Sequence, residues 1–538
     1  MGAAPLYATM DDSMMDRQDT LQSPLSRRAA LQRAGAGFGM LALKGMLGLE
    51  LPAAVGGGGV NPLAERPPHH VRPPSVASSS TCLVAHHRST CLIPSHRSHG
   101  TTGNRYRSRC PSWFAHGRTI FSRRDSSWGK HGESGVEVSE LLPHIAGCVD
   151  DICVVRSMVA DNINHGGAAL QMHTGEQAFS RPAVGAWATY GLGTENENLP
   201  GFVVISPQPT FQSGPLYGAS FLSAAYQGTL VRDLANPIRD LRSTPEEQKR
   251  QLAQIAAIRR LHELRRDTSP NAAALDARIS SFELAYRMQV RAPEAFEIER
   301  ESEYTQSLYG IGNKETEPIG KQLLLARRLS ERGVRFIQVF DSSGGNNVWD
   351  HHGGINNRLP KNCRQTDLPI AGFLKDLKER GLLDDTLVVW GGEFGRTPTS
   401  EGTDGREHPP FGFTMWLAGG GIKGGHVHGA TDDFGWHAVK DKVHVHDLHA
   451  TILHTLGPGP RRADLPLRGR VFRLTDVHGR VVREIWREPN HRAKAGHRVN
   501  GGNCHGLPIW SRLTKNGLGE GSLGNYSREK LPTNVSGA

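Results

Sequence analysis

The sequence has no CxxC pair and only seven cysteines in 538 residues, an odd number at no metal-ligand spacing. That argues against a zinc ribbon and against a disulfide framework as the basis of the fold. Long apolar runs are missing too, which excludes a polytopic membrane protein. Hydrophobic residues still make up 37% and charged residues 22%, enough to bury a core and too ordered a mixture for a wholly disordered chain. An excess of basic charge is absent from most of the molecule, despite a net charge of +10. Residues 66–130 hold eleven Lys and Arg against Asp125 alone, and the other 473 residues balance at 52 of each sign. A nucleic-acid surface needs basic charge across a folded face. Here it is confined to one stretch whose aromatics (Tyr106, Trp113, Phe114, Phe121, Trp128) lie on no regular element, so no nucleic-acid partner is expected.

That stretch is itself defined by what it lacks. Residues 68–129 contain no Lys, no Glu and neither a 2.0 nor a 3.6 apolar period. They are rich in Ser, Arg, His and Pro, and include seven of the 26 histidines. These come as pairs or scattered, without HxxxH spacing, so no metal role is assigned to them. Cys82, Cys91 and Cys110 fall here, whereas Cys148 and Cys153 read as buried or free thiols.

Ser26-Arg27-Arg28 followed by the small, apolar run Ala34–Leu49 resembles a twin-arginine export signal, assigned to residues 1–55. The run is broken by Lys44 and too short for a good membrane span, so the mature chain is expected in the periplasm or cell envelope without a stable membrane span. The competing reading is an ordinary amphipathic N-terminal helix. Residues 56–67 are a Gly/Pro linker, and 486–538 are polar, glycine-rich and aperiodic, the pattern of a disordered tail.

Residues 130–485 read as one α/β domain. Apolar spacing predicts helices over 136–148, 319–331, 368–380 and 446–456, and an almost wholly helical region over 244–310. Short apolar runs predict strands at 152–155, 202–205, 334–340, 386–390 and 413–418. The alternation argues a mostly parallel sheet flanked by helices, with chemistry in the loops beyond the strands' carboxyl ends. Three loops carry it: Asp341 with Trp349-Asp350-His351-His352, then Gly392-Glu393-Phe394-Gly395-Arg396-Thr397-Pro398, then Gly405-Arg406-Glu407-His408. Each alone is an ordinary turn with a surface histidine. Together they bring carboxylates and imidazoles to one sheet edge, a donor mixture suited to zinc, manganese or iron in hydrolysis. A neighbouring Arg suits phosphate or sulfate.

Several segments carry a resemblance: SGVEVSELLPHIAGCVDDICVVRSM, NHGGAALQMHTGE, VGAWATYGLGTENENLP, ARRLSERGVRFIQVF, WDHH, RGLLDDTLVVWGGEFGRTP, GREHPPFGFTMWLAGGGIKGG and HDLHATILHTLG. Over roughly residues 131–485 the chain resembles the exported bacterial family known as domain of unknown function 1501 (DUF1501). That family is similar in layout to the alkaline phosphatase and sulfatase superfamily. The resemblance implies an alkaline phosphatase-like sheet, a divalent metal (zinc, manganese, iron or calcium) and hydrolysis of an anionic small-molecule or polymer ester of phosphate or sulfate. Carried over by position, Asp350 and His352 match a ligand pair, and Glu393 and His408 supply further ligands. Arg396 would hold the substrate anion. His165 is an active-site candidate, or equally a histidine that starts a helix; Thr397 is a poor candidate nucleophile.

The chain departs from the family in one place. Family members carry a hydrophobic first strand ending in a motif like GGPSHVDTFDPK, and the matching interval here, 68–129, shows neither. Normal length with abnormal composition resembles translation in the wrong frame, and 458–468 is a smaller case. The expectation is therefore a chain without its central strand and one ligand, poorly folded or inactive; resequencing codons 60–135 tests it, since two compensating one-base shifts would restore the motif. Two function classes follow, a metal-dependent hydrolase and a non-catalytic exported binding protein on the same fold, and bound metal discriminates them.

Overall fold

The computed structural model describes residues 63–64, 81–86 and 127–487, apart from 211–213, 236, 238–243, 266–271, 292, 342–347, 458–464, 468–469 and 476–477. The export signal, the tail from 488, nearly all of the linker and most of 68–129 lie outside the described residues.

The strands used below are, in chain order, β1 (Thr81–His86), β2 (Trp128–His131), β3 (Val136–Ser139), β4 (Ile152–Val159), β5 (Phe202–Ile205) and β6 (Thr229–Val231). They continue with β7 (Phe336–Phe340), β8 (Thr386–Gly391), β9 (Phe413–Ala418), β10 (His426–His428), β11 (Ala430–Thr431), β12 (Ala438–Lys440) and β13 (Val443–His444). Nine of them form the main sheet, in the order β10-β4-β9-β8-β1-β7-β5-β6 with β13 also on β4. Pairing is parallel throughout except at β9, which runs antiparallel to both β4 and β8. The fold is α/β with a mostly parallel sheet flanked by helices.

Every residue of β5, β7, β8 and β9 is buried, which explains why these strands read as predominantly apolar runs without alternation. Successive side chains of a strand point to opposite faces. Ile152, Val154, Ile337, Val339 and Val388 accordingly join one core, with the helices Glu317–Glu331 and Ile355–Glu379. Cys153, Val155, Phe336, Phe340, Leu387 and Val389 join the other, with the helices His165–Thr174, Val184–Leu192 and Val445–Leu456. Cys148 and Cys153 are buried free thiols, and burial pushes them up to about 11 and about 12.

On the first face, Arg327 is 1% exposed within a nest of acids. Its Nε pairs with Asp376 Oδ2 at 2.9 Å, Nη2 with Glu301 Oε2 at 2.8 Å and Nη1 with Glu331 Oε2 at 2.7 Å. The Tyr309 hydroxyl donates to Asp376 Oδ2 at 2.9 Å.

Three expectations are corrected. The segment 136–148 is not one helix: Val136–Ser139 is a strand paired antiparallel with Trp128–His131, and only Pro143–Ala146 is helical. Its first four residues, VEVS, alternate with period 2, and Val136 and Val138 are both buried, so the local pattern is a strand's. The helix expected over 368–380 begins earlier, at Ile355, and runs through both Pro360 and Pro369. The third correction concerns the anomalous interval. Thr81–His86 is the sheet's central strand, parallel to β7 through Cys82–His86 and to β8 along its whole length. A strand in this slot needs only a short run, and TCLVAH between Ser80 and His87 is too brief to register as a period. Its last residue is level with Phe340 and Gly391, where β7 and β8 also end. Among the described residues no helix is long and apolar enough to cross a membrane.

Candidate metal centre

Four chain segments reach one edge of the sheet. β4, β7 and β8 are mutually aligned, so the segments that follow them emerge there. β9 is reversed, so the segment that precedes it arrives at the same edge. These segments carry His165, Asp350 with His352, Glu393 with Arg396, and His408 respectively.

Asp350 is the focus. Its Oδ1 lies 2.8 Å from Arg396 Nη2, 3.0 Å from His408 Nε2 and 3.1 Å from His352 Nε2; its Oδ2 lies 3.1 Å from His165 Nε2. The three imidazoles share a second property. Each ring's other nitrogen, Nδ1, faces a fixed acceptor: Glu393 Oε1 at 2.7 Å for His165, Glu401 Oε2 at 2.5 Å for His352, and the Ile163 carbonyl at 3.1 Å for His408. A neutral imidazole whose Nδ1–H is donated outward presents a bare Nε2 lone pair on its other side. Three such lone pairs converging on a carboxylate repel it and one another unless a cation stands among them. His165, Asp350, His352 and His408 each offer a ligand atom, and these atoms lie within 4.8 Å of one another. The donor set thus fits a divalent ion, with outer partners of the kind that orient metal-ligating histidines.

Burial opposes ionisation of Asp350, but the contacts with His165 and His408 and the charge of Arg396 outweigh it and hold the carboxyl far below its usual range. Burial would lower His165, yet Asp350 and Glu393 on its two sides raise it. His408 moves the other way, lowered by burial and then by Arg396 and His165 against the pull of Asp350. Phe394, 3% exposed, stacks on the His408 ring at 4.5 Å and 18° and fixes its plane.

Of the residues singled out in the sequence, Asp350, His352 and His408 come together in the ligand group, and His165 joins them. Glu393 stands one layer behind, on His165 Nδ1. Arg396 is 4% exposed and committed to Asp350, to the Trp349 carbonyl at 3.2 Å and to the Arg406 carbonyl at 3.3 Å, so it braces the focal carboxylate. Thr397 is buried, its hydroxyl donating to the Thr399 carbonyl at 2.8 Å and accepting the Glu407 N–H at 3.1 Å. Sequence reasoning missed Glu401 and the Ile163 carbonyl. The first is one acid in a polar turn and the second is backbone, and neither leaves a signal.

The turn Glu401–Gly405 is closed by two backbone hydrogen bonds, 2.9 and 2.8 Å, and lies flat on the His352 backbone. A Cβ at Gly405 would stand 2.1 Å from the His352 carbonyl oxygen. Gly405→Ala is expected to displace His352 and weaken divalent-metal affinity about tenfold, the low end for loss of an outer partner. Titration against a chelator reads the affinity, and an unchanged circular dichroism spectrum would show the fold intact.

No curated protein matches this sequence. Among solved structures, a phosphonate monoester hydrolase from Silicibacter pomeroyi is 12% identical, with 59% of this chain and 68% of that chain covered and a TM-score of 0.27. A sulfatase from Pseudoalteromonas sp. is 12% identical, with 59% and 62% covered and a TM-score of 0.27. A lipoteichoic acid synthase from Listeria monocytogenes is 9% identical, with 77% and 85% covered and a TM-score of 0.32. The profile of the family described as a protein of unknown function, DUF1501, matches residues 95–486, beginning inside the anomalous interval and ending with the last short helix of the α/β domain. The chain belongs to the DUF1501 family.

Proposed function

We propose that this protein is a metal-dependent hydrolase of phosphate or sulfate esters. One observation carries the metal: three histidines, each with Nδ1 facing an acceptor, direct Nε2 at a single ionised carboxylate. His165, Asp350, His352 and His408 would hold the ion, which when bound supplies Lewis acidity to an ester oxygen and to water. A mixed imidazole and carboxylate set suits zinc, manganese or iron. Glu393 and Glu401 fix the tautomers of their histidines, and Arg396 keeps Asp350 ionised and in place. His352, 46% exposed, lies on the open side, where an ester can approach. The class of ester follows from the family resemblance in the sequence, as does export by the twin-arginine route.

Metal analysis of the purified full-length chain tests the reading, followed by assays with p-nitrophenyl phosphate and p-nitrophenyl sulfate. About one equivalent of a transition metal and hydrolysis abolished by chelation are the expected results. Metal without hydrolysis of either ester would favour the non-catalytic binding protein, and a chain that neither retains nor takes up metal would overturn both the ion and the reaction.

A further inference from the structure

The segment between β4 and the helix His165–Thr174 supplies two parts of the centre, His165 itself and the carbonyl that orients His408. Apolar burial ends at Ala160, and Ile163 is 40% exposed. Polar ties hold the segment. Asn164 caps the helix by accepting the Gly166 N–H at 3.0 Å, and Asn162 accepts the Asn164 N–H at 2.8 Å while donating to Gln177 Oε1 at 3.0 Å.

Asp161 faces the opposite way, towards β13. Its Oδ2 lies 3.1 Å from His444 Nε2, a contact between residues 283 apart in sequence. The Asp161 N–H donates to Gln171 Oε1 at 3.1 Å, and Gln171 Nε2 donates back to the same carboxylate. The tautomer of His444 is set by its other nitrogen: Nδ1 accepts the His446 N–H at 3.2 Å, so that His444 is the N-cap of the helix Val445–Leu456. The ring proton is therefore on Nε2, where it is donated to Asp161. One imidazole caps one helix and tethers the start of another.

With His444 29% and Asp161 48% exposed, the pair adds little to global stability, so its consequence is placement. We infer that Asp161 and His444 are positioning residues that tie the 161–164 segment to β13 and thereby aim His165 and His408 at Asp350. The inference rests on the metal-centre reading above.

Two substitutions separate capping from tethering. In His444→Asn, the amide oxygen can replace Nδ1 as a good N-cap but no atom reaches Asp161; in His444→Gln, the amide reaches Asp161 but caps poorly. For His444→Asn we expect an unchanged thermal midpoint, about tenfold faster amide exchange over residues 161–168 of the metal-free protein, and about tenfold weaker binding of Zn²⁺ alone. His444→Gln should lower the midpoint while keeping exchange and Zn²⁺ affinity near those of the unsubstituted chain. Asp161→Ala should reproduce His444→Asn, and decides the matter should that variant fold poorly. Slow exchange over 161–168 in both tether-cutting variants would overturn the inference. If the unsubstituted chain takes up no Zn²⁺ the metal reading falls, and exchange in the metal-free protein still decides the tether.

Discussion

Asp350→Asn is expected to leave purification with less than about a tenth of an equivalent of divalent metal and to lose about a thousandfold in ester hydrolysis, since a Lewis acid supplies several kcal/mol of transition-state stabilisation. The substitution keeps the side chain's shape and an oxygen acceptor for Arg396, but it removes the one negative charge on which three imidazoles and a guanidinium converge. His165 would lose one of the two carboxylates that raise it, and Arg396, 4% exposed, would lose the carboxylate it pairs with at 2.8 Å. Metal analysis and the two p-nitrophenyl esters read the outcome. An Asp350→Asn protein with a full equivalent of metal would place the ion elsewhere.

Arg327→Met is expected to lower unfolding free energy by about 3–5 kcal/mol, the range for breaking a buried ion pair by removing one partner. Methionine approximates the stem of the arginine, so the loss reports charge more than volume. Asp376 and Glu301, 4% and 11% exposed, would be left without the cation that offsets their burial. Arg380, whose Nε lies 2.6 Å from Asp376, compensates in part, and puts the expected value towards the lower end of the range. Urea denaturation should show a lower midpoint with an unchanged slope; a shift below about 1 kcal/mol would mean that Arg380 and Arg328 suffice.

The same cluster sets a pH dependence. Burial would raise Glu301, but hydrogen bonds and charge from Arg327 and then Arg328 outweigh it, so its folded-state value lies below the ordinary glutamate value. A carboxylate depressed by folding contributes stability that is fully present above its ordinary value and is lost as pH falls through the depressed one. Glu301→Gln should therefore weaken the protein at neutral pH and flatten the fall in stability on acidification, as measured by denaturation midpoints across that range.

The parts of this molecule legible in the sequence are those where local pattern and tertiary environment agree. Thr386–Gly391 and Phe413–Ala418 are buried at every position because both faces of the sheet are covered, and their mostly apolar residues stand out against polar flanks. The site loops were legible for a related reason: Asp350, His352, Glu393 and His408 follow or precede such strands, where polar side chains have no structural reason to cluster. What stayed hidden depends on contacts between distant segments. Val136–Ser139 is too short to separate from the helix that follows it, and its partner Trp128–His131 belongs to a stretch without pattern. Thr81–His86 owes its central place to β7 and β8, which begin some 250 and 300 residues later. The bracing role of Arg396 was equally out of reach, because a guanidinium beside a carboxylate and one beside a substrate anion look alike in sequence.

The reversed strand β9 also bears on how the protein is made. Because β9 enters the sheet from the opposite direction, His408 meets the Ile163 carbonyl across 245 residues. The tether from Asp161 closes over a still longer interval. Loops of this length form late and slowly, since their entropy must be overcome before the contact rewards it. During synthesis the first two thirds of the chain can pair β1, β5 and β7, yet the ligand group stays open until the segment preceding β9 has left the ribosome. On the proposed metal reading, ion loading would wait for the last quarter of translation, and a chain stopped before residue 408 would emerge with much of its sheet and an incomplete ligand group.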